Sequence, residues 1–111
     1  MLDKKKFYID GKWIEPNKEN IYDVINPSNE EIFAKISLGS IEDVNIAVMA
    51  AKKAFESWRE VSKDEKIKLL ENLLKIYEKR SKEMAQAISM EMGSPIDWSL
   101  EVQTASGQSH L

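Results

Sequence analysis

Apolar positions along this chain follow two regimes that meet near Gly39. Before it they come in short runs of β type, separated by turn residues. After it they recur at helical spacings to the last residues. Phe7-Tyr8-Ile9 and Lys12-Trp13-Ile14 flank Asp10-Gly11, a dipeptide that favours positive φ, and this predicts a tight hairpin. Ile21 to Ile25 reads as another short strand. Asn26-Pro27-Ser28-Asn29 ends it, because proline has no amide to donate and forces its predecessor out of the helical region. Ile32, Ala34 and Ile36 then alternate with Phe33, Lys35 and Ser37, which predicts a third extended run with one mainly buried face.

The helical half opens at Ser40-Ile41-Glu42-Asp43, where a carboxylate three residues after a serine can close a capping box. Val44, Val48, Ala51, Phe55 and Trp58 follow on one helical face. Ser62-Lys63-Asp64-Glu65 opens a second helix with Ile67, Leu70, Leu74 and Tyr77 on one stripe. Leu69, Leu73 and Ile76 widen that stripe, so this helix is expected to be buried over about half its circumference. A third helix is expected from near Ser81, carrying Met84, Ala85, Ile88 and Met92, with Gly93 as its left-handed terminator. Ser94-Pro95-Ile96-Asp97 then starts a fourth, with proline at the first helical position. No stop signal precedes Leu111, and the chain is expected to continue beyond it.

The fold class that results is α+β: an N-terminal hairpin and short strands over 1–38, then three to four helices over 40–111, read as one domain. With 42% apolar and 32% charged residues the composition is that of a soluble globular chain. The net charge of −3 lacks the basic excess of a nucleic-acid binder. No apolar run reaches the length of a membrane span, and no apolar segment follows Lys4-Lys5-Lys6 to make a secretory signal, so a cytoplasmic location is expected.

Candidate chemistry is sparse. With no cysteine there is no disulfide, thiolate ligand or thiol nucleophile. The four glycines, Gly11, Gly39, Gly93 and Gly107, are too far apart to make a phosphate-binding loop. His110 is the single histidine and has no companion to form a base pair or metal site, and no G-x-S-x-G elbow surrounds any serine. Ser40 and Ser94 are read as plain N-caps, Glu30-Glu31 as a solvated turn, Glu42-Asp43 as a helix N-terminus favoured by the helix dipole, and the methionines Met84, Met90 and Met92 as gap-filling core. No catalytic or cofactor-binding residue is assigned to this segment.

Three ordered blocks nevertheless resemble the aldehyde dehydrogenase superfamily. Tyr8-Ile9-Asp10-Gly11-Lys12-Trp13-Ile14 is similar to its opening hairpin. Val24-Ile25-Asn26-Pro27 runs through Leu38-Gly39-Ser40 and Glu42-Asp43-Val44 to Ala54-Phe55-Glu56-Ser57-Trp58. Met84-Ala85, Ile88 and Glu91-Met92-Gly93-Ser94-Pro95-Ile96 form the third. The resemblance implies a much longer subunit, an oxidoreductase that takes an aldehyde to a carboxylic acid with NAD or NADP, in a homo-oligomer. It implies a cysteine nucleophile, a glutamate base and an oxyanion-hole asparagine, all downstream of Leu111, so this segment alone is expected to be inactive. It also implies a monovalent cation, K+ or Na+, held by the carbonyls of Val24 and Ile25 and the carboxylate of Glu91. At that last position many relatives have the shorter aspartate. The expected partners are the rest of the subunit and a small aldehyde, with neither nucleic acid nor membrane. Acyl-transferring relatives that release a coenzyme A thioester share this segment. A self-contained helical interaction module and the remnant of a disrupted gene are the alternative readings.

Overall fold

The computed structural model describes residues 1–111 and divides the chain into two compact units. The first comprises Met1–Ile25 and Glu31–Val61, the second Asn26–Glu30 and Ser62–Leu111. The strand half and the helical half of the sequence do not map onto these units, because the first helix packs with the strands.

In the first unit, β2 (Phe7–Ile9) and β3 (Lys12–Ile14) pair antiparallel, with Phe7 opposite Ile14 and Tyr8 opposite Trp13. Asp10 and Gly11 take φ of 52° and 73°, the pair of positive values that a two-residue hairpin with the strands' own twist requires. The cross-strand rings of Tyr8 and Trp13 lie 5.3 Å apart. A three-stranded sheet has the order β1-β5-β4, formed by β1 (Leu2–Lys4), β5 (Glu31–Ser37) and β4 (Ile21–Asn26). β1 was not expected. Its lysines read as a basic terminus, yet Leu2, Asp3 and Lys4 run parallel to Ala34, Lys35 and Ile36.

The face expected to be buried on β5 is only partly so. Ala34 is buried and Ile36 half-buried, but Ile32 is exposed, and Ser37 from the opposite face is buried instead. Ser37 is tied down by its hydroxyl, which accepts from the Asn20 amide at 3.2 Å and donates to the Leu38 carbonyl at 3.3 Å. A buried hydroxyl that is fully bonded costs little, so the polar residue can take the inner position.

α1 (Ile41–Trp58) and α2 (Lys63–Lys79) both start with the expected capping boxes, Ser40 with Asp43 and Ser62 with Glu65. In each, the serine oxygen accepts from the third helical amide and the carboxylate accepts from the serine amide. α3 (Ser81–Met92) follows α2 without a side-chain cap, and Gly93 ends it at φ 72°. Beyond it come α4 (Ile96–Trp98), a π-helical stretch over Ser99–Thr104, and α5 (Ala105–Ser109). Two expectations fail here. The fourth helix is not uniformly α, and Pro95 lies outside it at ψ 138°, one position earlier than the first helical residue.

The half-buried second helix is also corrected: no residue of α2 is fully buried. In the second unit α2 meets α3 and α5, with Leu74 and Tyr77 half-buried. Leu69, Leu73 and Ile76 remain about half exposed, at 52%, 47% and 56%. Across the chain the only fully buried apolar residues are Ala34 and Ala85.

Candidate functional site

The sequence-expected site residues fall in different units. Val24 is half-buried and Ile25 exposed on β4 of the first unit. Glu91 is exposed in the last turn of α3 in the second. No group of three or more His, Cys, Asp and Glu side chains is placed to hold a metal.

In the second unit, two of the motif blocks meet at Gly93 and Pro27. A Cβ on Gly93 would come within 2.8 Å of the Pro27 Cγ. Gly93 is therefore required twice, for its left-handed φ and for the proline ring against it. The turn that presents Pro27 is held by the Asn26 side chain, which accepts from the Ser28 amide at 2.9 Å, and by the Asn26 carbonyl, which accepts from Glu30 at 2.8 Å. Glu30 reaches φ 59° to rejoin the sheet.

Beyond Gly93, Ser94 departs from the plain cap expected of it. Its hydroxyl donates to Gln103 Oε1 at 2.8 Å and accepts a hydrogen bond from the fully buried Ser99. Its carbonyl accepts from the Ser89 hydroxyl at 2.8 Å. Nearby, the Tyr77 hydroxyl donates to the Thr104 carbonyl at 3.0 Å. This reach is possible because residue 107 is glycine: a Cβ there would lie within 2.4 Å of the Tyr77 oxygen. The Thr104 hydroxyl, also buried, has no partner. Ser89, Ser99, Gln103 and Thr104 were missed in the sequence, Ser94 and Tyr77 were read only as a cap and an apolar-stripe residue, and Gly107, a glycine inside a helical pattern, gave the one signal of this packing.

In the first unit, Asp43 does more than close the capping box expected at the start of α1. It is 4% exposed and accepts from the Asn17 amide at 2.8 Å, the Ser40 amide at 2.8 Å and the Ser40 hydroxyl at 2.8 Å. The Asn17 amide first, and then that of Ser40, hold its carboxyl below the ordinary carboxylate range. One acid thus caps α1 and pins the segment before β4 to it.

A concavity of about 580 Å³ in the first unit is lined by Asp3, Lys4, Lys5, Lys6, Trp13 and Glu15. Lys5 is paired with Asp3 and Glu19, and Lys6 with Glu15, so most of its cationic charge is already answered. His110 turns Nδ1 to the Ser106 carbonyl at 2.6 Å, as a helix-end contact. The arrangement holds helix termini and turns in fixed positions.

The family model of the aldehyde dehydrogenase family matches residues 13–109. The chain is 42% identical over its whole length to 3-succinoylsemialdehyde-pyridine dehydrogenase from a Pseudomonas species, of which it covers 24%. It is similar in structure to an aldehyde dehydrogenase from Bartonella henselae, with a TM-score of 0.97, 54% identity, and coverage of 99% of this chain and 23% of that one. Aldehyde dehydrogenase C from Pseudomonas syringae, solved with NAD+ and octanal, matches with a TM-score of 0.93 and 37% identity over 96% of this chain and 22% of that one. The chain thus spans about a quarter of the length of the relatives it matches. It belongs to the aldehyde dehydrogenase family and corresponds to the N-terminal part of its members.

Proposed function

We propose that this chain is the N-terminal part of an NAD(P)-dependent aldehyde dehydrogenase subunit and is inactive by itself. The observation that carries the reading is the match over 99% of this chain at a TM-score of 0.97 to a dehydrogenase of which it makes only 23%. The 111 residues are read as one part of a single larger domain rather than a module of their own.

The residues present do not fit a dinucleotide. Gly39 lies against Phe7, Gly93 against Pro27 and Gly107 against Tyr77, and Gly11 stands by itself in a hairpin turn, so no closely spaced glycines form a phosphate-binding loop. The absence of cysteine leaves no thiolate to attack an aldehyde. What this chain contributes is position: the Asp43 clamp and the Gly93–Pro27 contact fix the termini of α1 and α3. NAD is supported as the parent's cofactor by the NAD+ bound to the Pseudomonas syringae relative. K+ or Na+ at Val24, Ile25 and Glu91 is inferred from the motif correspondence, and a parent indifferent to both ions in activity and stability would end that inference.

The test has two parts. Purified chain mixed with NAD+ or NADP+ and a panel of aliphatic and aromatic aldehydes should form no reduced nicotinamide. Reading the gene past the Leu111 codon should reveal a frame that continues to a glycine-rich loop and a cysteine. Turnover by the isolated chain would overturn the claim of inactivity, and a frame closed at that codon would overturn the parent enzyme.

A further inference from the structure

The two sheets of the first unit are joined by residues 15–20, which run from β3 to β4 without helix or strand structure. The far end of this segment is fixed by uncharged groups. The Asn20 amide donates to the Ser37 hydroxyl at 3.2 Å, and the Asn20 carbonyl accepts from the Leu38 amide at 2.8 Å. Ahead of Asn20 the polar contacts are of another kind, because each uses a carboxylate. Lys6 meets Glu15 at 2.8 Å, the Asn17 amide donates to Asp43 at 2.8 Å, and Lys5 meets Glu19 at 2.9 Å. Pro16 is half-buried, and the other residues of the segment are exposed.

These contacts are unequal. Glu15 and Glu19 keep 67% and 55% of their side-chain surface in water, where an ion pair contributes little and is screened by salt. Asp43 is buried, and its partners are uncharged: the Asn17 amide, and the amide and hydroxyl of Ser40. Such a bond is charge-assisted and little affected by salt. The carboxylate also divides its work, with Oδ1 taking Asn17 and Oδ2 taking Ser40. The cap of α1 therefore does not need the segment, although the segment needs Asp43. The charged groups around Asp43 are Lys18 and Glu19, which border one hollow with Gly39 and Ser40, and Glu42 beside it in α1. Phe7 of β2, against Gly39, and Ser37 and Leu38 at the end of β5 are uncharged.

We propose that residues 15–19 form a strap that opens as a unit, hinged at Asn20 and latched by Asp43, while the strands and α1 beneath it stay folded. Local opening of this kind is drawn from segments with exposed backbone and few buried apolar contacts. When the Asn17 bond breaks, Asn20 stays on Ser37 and Leu38, and Ser40 stays on Oδ2. Acid works the same latch. The Asn17 amide, above all, holds the Asp43 carboxyl below its ordinary value of 3.8, so the latch is complete above that value and is lost as the pH falls through the lower, folded one. A proton on the carboxyl weakens both oxygens as acceptors, yet α1 keeps its other cap bond, from the Asp43 amide to the Ser40 hydroxyl. The device belongs to the first unit and does not depend on the enzymatic reading above.

Amide hydrogen exchange, followed by NMR in the 111-residue chain, tests the proposal. The protection of Asn17 is compared with that of the paired amides of β5, the central strand of its sheet. Asp43→Ala at neutral pH should lower the protection of Asn17 at least tenfold and leave β5 within about threefold. Acid titration of the unaltered chain should release Asn17 at a higher pH than β5, once protection is corrected for the intrinsic exchange rate. Two controls separate the latch from its neighbours. Ser40→Ala removes the serine cap and leaves the Asn17 bond, so Asn17 should stay within about threefold. Salt at about 1 M screens the pairs of Lys5 and Lys6, and should also leave Asn17 within about threefold. Protection of Asn17 that survives Asp43→Ala overturns the latch, as does its release by salt or by Ser40→Ala. Joint loss of protection at Asn17 and β5, in the variant and in acid alike, overturns the independent strap.

Discussion

The two units bury one apolar residue each, Ala34 in the first and Ala85 in the second, but they differ in how they treat their buried polar groups. In the first unit Ser37 and Asp43 are buried and every bond is made, largely to backbone amides. In the second, Ser99 is bonded within a hydroxyl and amide network, whereas Thr104 keeps a buried hydroxyl with no partner. The second unit also relies on two close approaches, Pro27 on Gly93 and Tyr77 on Gly107, where a single methyl group does not fit. The difference teaches that the first unit is held by hydrogen bonds it completes itself, and the second by shape. Shape without a large core is easily lost, because small domains have little stability to spare.

If that contrast is right, the largest single effect lies in the second unit. Gly93→Ala adds a left-handed penalty to a clash with a rigid ring, and should cost roughly 2–4 kcal/mol in urea unfolding. A loss below about 0.5 kcal/mol, the range of neutral surface changes, would break the comparison. Gly107→Ala should come next, at about 1–3 kcal/mol, since the Tyr77 hydroxyl has to move. Tyr77→Phe alone should cost about 1 kcal/mol, and the double variant should cost less than the sum because removing the hydroxyl makes room for the new methyl. Strict additivity would show that the two residues do not meet.

Smaller effects sharpen the account of the first unit. Ser40→Ala should cost about 1 kcal/mol, as removal of a serine cap generally does. Asp43 sets a pH dependence. Its folded pKa lies below the ordinary value of 3.8, so its contribution is complete above that value and is lost as the pH falls through the lower, folded one. Stability should therefore decline on acidification below about pH 4, and Asp43→Asn should flatten the decline. A variant as acid-sensitive as the parent chain would place the titration elsewhere. Thr104→Val should have the least effect, within about 0.5 kcal/mol or stabilising, because the hydroxyl it removes is buried without a partner. A larger loss would mean that the hydroxyl is satisfied in solution.

Legibility in the sequence follows the range of the interaction. The Asp10-Gly11 turn, the two capping boxes and the Gly93 terminator each depend on residues within a few positions, and all four are where the pattern placed them. β1 was invisible, because Leu2-Asp3-Lys4 carries no β signature and becomes a strand only through its parallel pairing with β5. Asp43 was legible as a cap but not as a clamp, since its bond to the Asn17 amide spans 26 residues. The π-helical stretch and the fit of Tyr77 over Gly107 have no local sequence code at all. The burial expected for α2 failed for a different reason. Its amphipathic pattern was read correctly, but the pattern describes a surface that nothing in this unit covers.

The central claim is that this chain serves as the N-terminal part of an aldehyde dehydrogenase subunit. Its most direct test replaces the matched segment of the Bartonella henselae enzyme, 54% identical and covering 99% of this chain, with residues 1–111. The account predicts a folded chimera that oxidises the native enzyme's aldehydes with NAD(P)+ at a rate within about tenfold of native, a loss of about 1.4 kcal/mol in transition-state stabilisation. A chimera that folds and binds the nicotinamide cofactor but does not oxidise aldehydes would contradict it.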